Sequence, residues 1–342
     1  MRKKILVTGG TGYIGSHTSV ELINDGFEVV IIDNLYNSEA DVTDRIGQIT
    51  GTTPKLSVLD LCDYSRLNDF FKEENDIAGI IHFAAYKAVG ESVNKPLEYY
   101  RNNILSLINL LECMKAFKIS DFVFSSSCTV YGQPDLLPVS EEAPIQPAVS
   151  PYGNTKQIGE EIIRDTVAVD KYIKAISLRY FNPIGAHPTA LIGELPRGVP
   201  ENLVPYITQT AFGLRDELKV FGDDYDTPDG SCIRDYLHVV DLAKAHVTAI
   251  KRLLLGNNKD SYEIFNLGTG KGVSVLEAIQ SFERATGIKI KYKITGRRAG
   301  DIEKIWADPS LANRELGWKT ESSLDESMRT AWEWEKYIRK IN

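Results

Sequence analysis

The sequence predicts an α/β protein: a Rossmann-type, doubly wound parallel sheet followed by a smaller C-terminal α/β substrate-binding lobe. Three observations carry that expectation. Short β-branched runs alternate with helical patterns through the first half of the chain, the order that builds parallel sheets with helices on both faces. The first run, Ile5-Leu6-Val7, opens into a glycine-rich turn, Gly9-Gly10-Thr11-Gly12-Tyr13-Ile14-Gly15. The second run, residues 28–32, ends in Asp33, about 20 residues past the turn, as dinucleotide sites require.

The turn satisfies both G-x-G-x-x-G, from Gly10, and G-x-x-G-x-x-G, from Gly9. Its glycines let the backbone turn sharply and approach a pyrophosphate, whose charge then sits at the N-terminus of the next helix. Asp33 is placed to hydrogen-bond an adenosine ribose and to repel a 2′-phosphate, which favours NAD over NADP. Residues 56–59 read as a third strand, with an adenine contact expected at Asp60-Leu61. Residues 80–85 read as a fourth, ending in alanines that admit a ligand; His82 within it reads as a hydrogen-bonded core residue. A helical pattern over residues 97–118 leads to a fifth strand, Phe122-Val123-Phe124, and a helix beginning near Tyr152 leads to a sixth, residues 175–178.

Around Pro183 the texture changes. Residues 183–232 are rich in Gly, Pro and Asp and are expected to run as irregular connections over a second lobe. Residues 234–241 lead into an amphipathic helix, 242–255, expected to pack back on the first lobe. His238, Asp241 and His246 spread over roughly 140° of a helix, so they read as structural hydrogen-bonding groups and no metal is expected. The tail from Ser274 supplies further helices, with Trp332 and Trp334 as hydrophobic anchors. A chain of 342 residues exceeds one ordinary core. The expected division is an NAD-binding domain at 1–182, with 234–266 packing on it, and a second lobe made of 183–233 and 267–342.

With 43% hydrophobic and 25% charged residues the composition is that of a soluble globular protein. The net charge of −8, without a basic run, argues against nucleic-acid binding, which needs a basic face. No apolar stretch reaches a membrane-spanning length, and the N-terminal apolar run is too short for a signal peptide. Cys62, Cys113, Cys128 and Cys232 are scattered, the pattern of reduced thiols in a cytoplasmic protein.

The chemistry centres on Ser150-Pro151-Tyr152-Gly153-Asn154-Thr155-Lys156. Pro151 is tolerated in a first helical turn, and Tyr152 and Lys156, four apart, share a helix face. An ammonium beside a phenol near a helix N-terminus favours phenolate. A tyrosine acting as base near pH 7 needs its pKa lowered by about 3, roughly 4 kcal/mol. Alone, a Tyr-x-x-x-Lys spacing is that of many surface pairs; the dinucleotide turn upstream gives it an oxidant to work with.

Together these motifs make the chain resemble the extended short-chain dehydrogenase/reductase family, and within it the branch that epimerises UDP-hexoses at C4. The resemblance spans essentially the whole chain. It is carried by residues 7–17, 82–92, 124–132, the Tyr152 motif and residues 179–188; Lys87-Ala88-Val89-Gly90-Glu91-Ser92 and Gly185-Ala186-His187-Pro188 are its most specific blocks. It implies tightly held NAD, contacted by Gly9, Gly12, Tyr13, Ile14, Gly15, Asp33, Asn34, Asp60, Leu61, Phe83, Ala84, Lys87, Asn102, Tyr152, Lys156 and Tyr180. It implies Tyr152 as base, Lys156 as the cation that keeps it ionised, and Ser127 as proton partner at the sugar 4-oxygen, for reversible epimerisation of UDP-glucose and UDP-galactose. It further implies that Asn182, Asn202 and Leu203 contact the diphosphate and sugar, and that Phe221 and Tyr236 flank uracil and ribose. Arg234 and Arg298 would neutralise the pyrophosphate, and Asp301 would hold the uridine ribose. A homodimer through the helices at 97–118 and 154–170 is implied as well.

Two other readings use the same fold. The related sugar-nucleotide 4,6-dehydratases carry an Asp-Glu pair after the residue equivalent to Ser127; here those positions are Cys128 and Thr129, neither a carboxylate acid or base. A non-catalytic NAD-sensing protein would typically lack the Tyr/Lys pair. One departure bears on specificity: where relatives restricted to non-acetylated sugars tend to carry Tyr, this chain has Ile305, which leaves room for UDP-N-acetylhexosamines.

Overall fold

The computed structural model describes residues 2–298 and 301–341; Met1 and Asn342, the outer ends of the expected lobes, lie outside them. β1 (Lys4–Thr8) enters the glycine turn, α1 (Tyr13–Asn24) leaves it, and β2 (Glu28–Asp33) follows. Next come α2 (Val42–Thr50), β3 (Lys55–Val58), α3 (Tyr64–Glu73), β4 (Ile77–His82), α4 (Val89–Asn94) and α5 (Pro96–Phe117). β5 (Asp121–Ser125) passes into a 3-10 turn (Cys128–Tyr131), then α6 (Pro151–Val169) and β6 (Lys174–Tyr180). The remainder is β7 (Asn182–Ile184), α7 (Leu203–Phe212), β8 (Leu218–Phe221), β9 (Ile233–Arg234), β10 (Tyr236–His238), α8 (Val239–Leu254), β11 (Tyr262–Leu267), β12 (Val273–Ser274), α9 (Val275–Thr286), β13 (Tyr292–Thr295), α10 (Ser310–Glu315) and α11 (Leu324–Ile341).

The main sheet has the order β11-β6-β5-β4-β1-β2-β3, and β1 pairs in parallel with both β2 and β4. The chain winds outward from β1 in one direction and then, from β4, in the other, so the strand order reverses where the glycine turn leaves the sheet; ligands of such sheets bind at this switch point. Ile5, Leu6 and Val7 are wholly buried, as expected for central parallel strands covered on both faces.

The structure departs from the sequence reading in several places: β4 ends at His82, so residues 83–85, read as strand, lie beyond it. A seventh strand, β11, extends the sheet. Its run Tyr262–Leu267 carries Glu263 and Asn266, which obscure the apolar pattern; Glu263 is paired with Arg252 at 2.7 Å. Residues 183–232, expected as irregular connections, contain the ten-residue helix α7. Pro205 masks it in sequence, yet it lies in the first turn, where proline removes no needed hydrogen bond.

Two compact units divide the chain: Met1–Gly132, Pro144–Arg179 and Ala243–Phe265 form the first, and Gln133–Ala143, Tyr180–Leu242 and Asn266–Asn342 the second. The short segment Gln133–Ala143 joins the second because Val139 exchanges backbone hydrogen bonds with Trp306 and Asp308. The first core gathers Leu6, Ile80, Leu110, Met114, Phe122 and Ile163 from sheet and helices. The second gathers Ile207, Val220, Tyr236, Ile279, Phe282 and Met328. No helix among the described residues is long and apolar enough to cross a membrane.

Candidate active site

The glycine turn is built by contacts that exclude any side chain. Gly9 has φ +69°, and a Cβ there would lie 2.8 Å from the Ala84 nitrogen; one on Gly15 would lie 2.2 Å from the Gly9 oxygen. Gly12 N–H donates to the Gly9 carbonyl at 3.1 Å and caps α1 without a side-chain hydrogen bond, and no acid occupies the first turn. The amides at this end of α1, where Tyr13 and Ile14 stand, are thus left for an anion, and the residues present fit a dinucleotide pyrophosphate.

Around the turn stand the other residues expected to hold the cofactor. Asp33, at the end of β2, accepts from Thr11 N–H (3.2 Å), Leu35 N–H (2.9 Å) and Ser38 Oγ (3.0 Å). Asn34 Nδ2 reaches Asp60 Oδ2 at 3.4 Å, and the Leu61 carbonyl accepts from Asn109, so Asp33, Asn34, Asp60 and Leu61 gather at the ends of β2 and β3. On the β4 side Phe83 N–H donates to the Thr8 carbonyl, Ala84 abuts Gly9, and Lys87 Nζ lies 5.8 Å from the centre of the Tyr13 ring. Asn102 donates to Asn103 Oδ1. Asn103, which sequence reasoning missed, grips both backbone groups of Tyr86 and the Thr155 hydroxyl.

Tyr152 and Lys156, the pair expected to react, stand on α6. Ser150 caps this helix, accepting from Gly153 N–H at 3.1 Å, and Pro151 occupies its first turn. Tyr152 and Lys156 are both buried, and Lys156 Nζ lies 6.0 Å from the Tyr152 ring centre. Lys156 donates to the Ser125 carbonyl at 2.7 Å. Burial lowers its pKa to about 8, with the Glu160 charge acting in the opposite direction. Ser127 ends the same serine run; its Oγ accepts from Thr129 N–H at 3.2 Å. His82 is a core residue as read: its Nδ1 is 2.7 Å from Thr8 Oγ1. Sequence reasoning did not single out a buried group formed by Glu160, on the helix of Lys156, with Ser126, next to Ser127, and with Arg179 and Tyr131. The only hint in sequence is that Glu160 falls one helical turn after Lys156.

The second unit carries the residues expected to bind the nucleotide. Asn182 is the register partner of Tyr236 in the parallel pair of β7 and β10, and Tyr180 closes β6. Phe221, Arg298 and Asp301 cluster: the Arg298 guanidinium lies 5.2 Å from the Phe221 ring centre and 2.6 Å from Asp301. Arg234, half-buried on β9, donates to the Ile233 carbonyl, and Ile305, buried, donates its N–H to the same carbonyl. Asn202, at the start of α7 beside Leu203, donates to Glu194 at 2.8 Å. Tyr236 belongs to the hydrophobic core, and burial pushes its pKa up to about 12. His238, Asp241 and His246 do not converge: His238 meets Thr330, Asp241 accepts from Glu321 and Ser322 N–H, and His246 packs on Phe83. Among the described residues no metal-holding group of acids, histidines or cysteines forms.

Relatives match the chain over nearly their whole length. The chain is 50% identical over 332 residues to the UDP-glucose 4-epimerase of Haemophilus influenzae, covering 97% of each, and 48% identical over 342 residues to that of Homo sapiens, covering 98% and 97%. A solved UDP-glucose 4-epimerase from Stenotrophomonas maltophila, with bound NAD and formylated UDP-arabinopyranose, matches at a TM-score of 0.96 and 48% identity with both chains fully covered. One from Bifidobacterium longum, in complex with NAD+ and UDP, matches at 0.94 and 46%, covering 98% and 99%. The sheet order, the glycine turn and the Tyr152–Lys156 pair define an extended short-chain dehydrogenase/reductase, and the family model described as GDP-mannose 4,6 dehydratase matches residues 6–331. Within that family the chain belongs to the UDP-glucose 4-epimerases.

Proposed function

We propose that the protein interconverts UDP-glucose and UDP-galactose by epimerisation at C4, through a transient 4-keto sugar, with NAD held at the glycine turn. The observation that carries this reading is the make-up of the β5 end: Ser127 and the carbonyl that holds buried Lys156 belong to one serine run, and Cys128 and Thr129, not carboxylates, follow it. Tyr152, as phenolate, takes the proton of the sugar 4-hydroxyl; Ser127 hydrogen-bonds the same oxygen and carries the proton across; the Lys156 charge favours the phenolate. Held at the glycine turn, NAD would supply the reversible hydride chemistry at C4. The keto sugar turns over between the two transfers, and Tyr152 returns the proton. Cys128 and Thr129 offer no carboxylate to protonate a leaving hydroxyl at C6, which argues against dehydration.

Phe221, Arg234, Arg298 and Asp301 are the proposed nucleotide anchors. Charge-assisted hydrogen bonds from the arginines suit a diphosphate, and they explain how a protein of net charge −8 binds an anion. Ile305, a smaller side chain than Tyr, supports turnover of UDP-N-acetylhexosamines as well. Four cysteines, none in a disulfide, suit a cytoplasmic setting, and α5 and α6 are the proposed homodimer surface.

The test is to incubate the protein with UDP-galactose, adding no cofactor. UDP-glucose is the expected product, and a 4-keto-6-deoxy sugar would establish dehydration instead. Tyr152→Phe should bind NAD and UDP-sugar yet lose about 100-fold or more in kcat; a fully active variant means another group is the base. In the parallel assay with UDP-N-acetylglucosamine, a rate at the no-enzyme background rejects the broader specificity.

A further inference from the structure

We propose that Glu160 is a positioning residue for the reaction, its buried carboxylate clamping the Ser126–Ser127 turn to the helix that carries Tyr152 and Lys156. The assignment rests on the epimerase reading of that pair. Glu160 follows Lys156 by one helical turn and Tyr152 by two, on the same face of α6. Its Oε1 accepts from Ser126 Oγ at 2.6 Å and from Arg179 Nε at 2.9 Å; its Oε2 accepts from Arg179 Nη2 at 2.5 Å. Arg179, on β6, donates through Nη1 to the Tyr131 hydroxyl at 2.9 Å. Ser126 and Tyr131 flank Ser127 in the chain, so one ion pair holds both ends of the turn that presents Ser127. All four residues are buried.

The three serines of the run divide the work. Ser125 offers its carbonyl to Lys156, Ser126 gives its hydroxyl to Glu160, and Ser127 is left at the mouth of the strand. An ion pair taken out of water adds little stability over a well-packed apolar pair, so its use at this place points to a task beyond holding the fold. The charge has a second consequence. The titratable and charged groups facing Lys156 and Glu160 are Tyr152 on α6, His82 on β4, Arg179 on β6, Tyr131 in the 3-10 turn and Tyr262 on β11. Burial keeps His82 neutral and pushes the Tyr262 pKa up. Glu160 is thus the anion in a group with two cations, Lys156 and Arg179, and it works against the burial that strips Lys156 of its proton.

Three variants test this: Ser126→Ala, Glu160→Gln, and Glu160→Gln with Arg179→Gln. Ser126→Ala removes the tie and leaves the charges; kcat should fall roughly tenfold with KM within about twofold and the alkaline limb of the pH–rate profile in place. Glu160→Gln leaves two buried cations without their anion; kcat should fall further, and the alkaline limb, which reports Lys156, should move to lower pH. The double variant restores charge balance and should return the limb toward its original position while kcat stays low. Titration of Tyr152 by ultraviolet difference absorbance against Tyr152→Phe, in protein without substrate, should move in Glu160→Gln and return in the double variant. A Glu160→Gln protein with native circular dichroism, unchanged kcat and an unmoved limb overturns the proposal. Should that variant not fold, Ser126→Ala with unchanged kcat overturns it alone. If the unaltered protein converts no UDP-galactose, the epimerase reading fails first, and the tyrosine titration still decides whether Glu160 acts on the pair.

Discussion

His82 lies in β4 with its ring stacked between those of Phe122 and Phe124, and Thr8 takes its Nδ1. Burial, helped by the nearby Lys156 charge, lowers its pKa to about 3. In the unfolded chain the same imidazole binds a proton near its ordinary value of about 6.5. Between those values the unfolded state holds more protons, so stability is fully present above pH 6.5 and is lost as the pH falls toward 3. From pH 7 to pH 5 the loss from this one group should be about 2 kcal/mol. Urea midpoints at the two pH values, compared between the protein and His82→Gln, measure it; equal drops in both would refute the assignment. At this scale the sequence was legible wherever function is local. Tyr152 and Lys156 share a helix face, and the glycines and Asp33 belong to one strand-turn-helix-strand unit. Glu160 and Arg179 were not, because their partnership depends on β6 lying beside β5, and no spacing in the chain states which strands are neighbours.

Among elements, α8 and β11 supply most of the first unit's last segment, Ala243–Phe265. The amphipathic pattern of residues 242–255 was visible, and α8 from Ala243 onward does belong to the first unit; β11 was not visible, since its polar residues break the apolar run. Both are needed there. Ile250 reaches so close to Gly79 on β4 that a Cβ on that glycine would lie 2.8 Å from its Cδ1, Arg252 pairs with Glu263, and Tyr262 shares a hydrogen bond of 2.8 Å with Ser177 on β6. A fragment ending at residue 182 therefore exposes the edge of β6 and an apolar patch on β4, the conditions for edge-to-edge association. Expressed alone, residues 1–182 should show no cooperative melt and bind no NAD, whereas the full chain shows both. A fragment that melts cooperatively and binds NAD would show that α8 and β11 are dispensable.

For the whole molecule, the turn, Ser127, Tyr152 and Lys156 lie in the first unit, and Phe221, Arg298 and Asp301, the proposed nucleotide anchors, lie in the second. Assembly is less legible still, because a helix surface that meets a second copy looks in sequence like any amphipathic helix. The proposed dimer surface is the outward face of α5 and α6. Ile108 and Val169 are 37% and 83% exposed, and with Leu111 and Ile162 they line an apolar groove edged by Glu112, Lys115 and Asp165. A twofold axis through such a surface would cover the apolar strip with its own copy, the self-complementarity that a symmetric dimer requires. Helices α5 and α6 of two copies would then form a four-helix bundle. Light scattering at micromolar concentration should give twice the chain mass of 38.2 kDa, and Ile108→Arg, which buries an unpaired charge at the groove, should give the single mass with the fold intact. An unaltered protein that scatters as a monomer rejects the dimer; a dimeric Ile108→Arg protein moves the interface to another face.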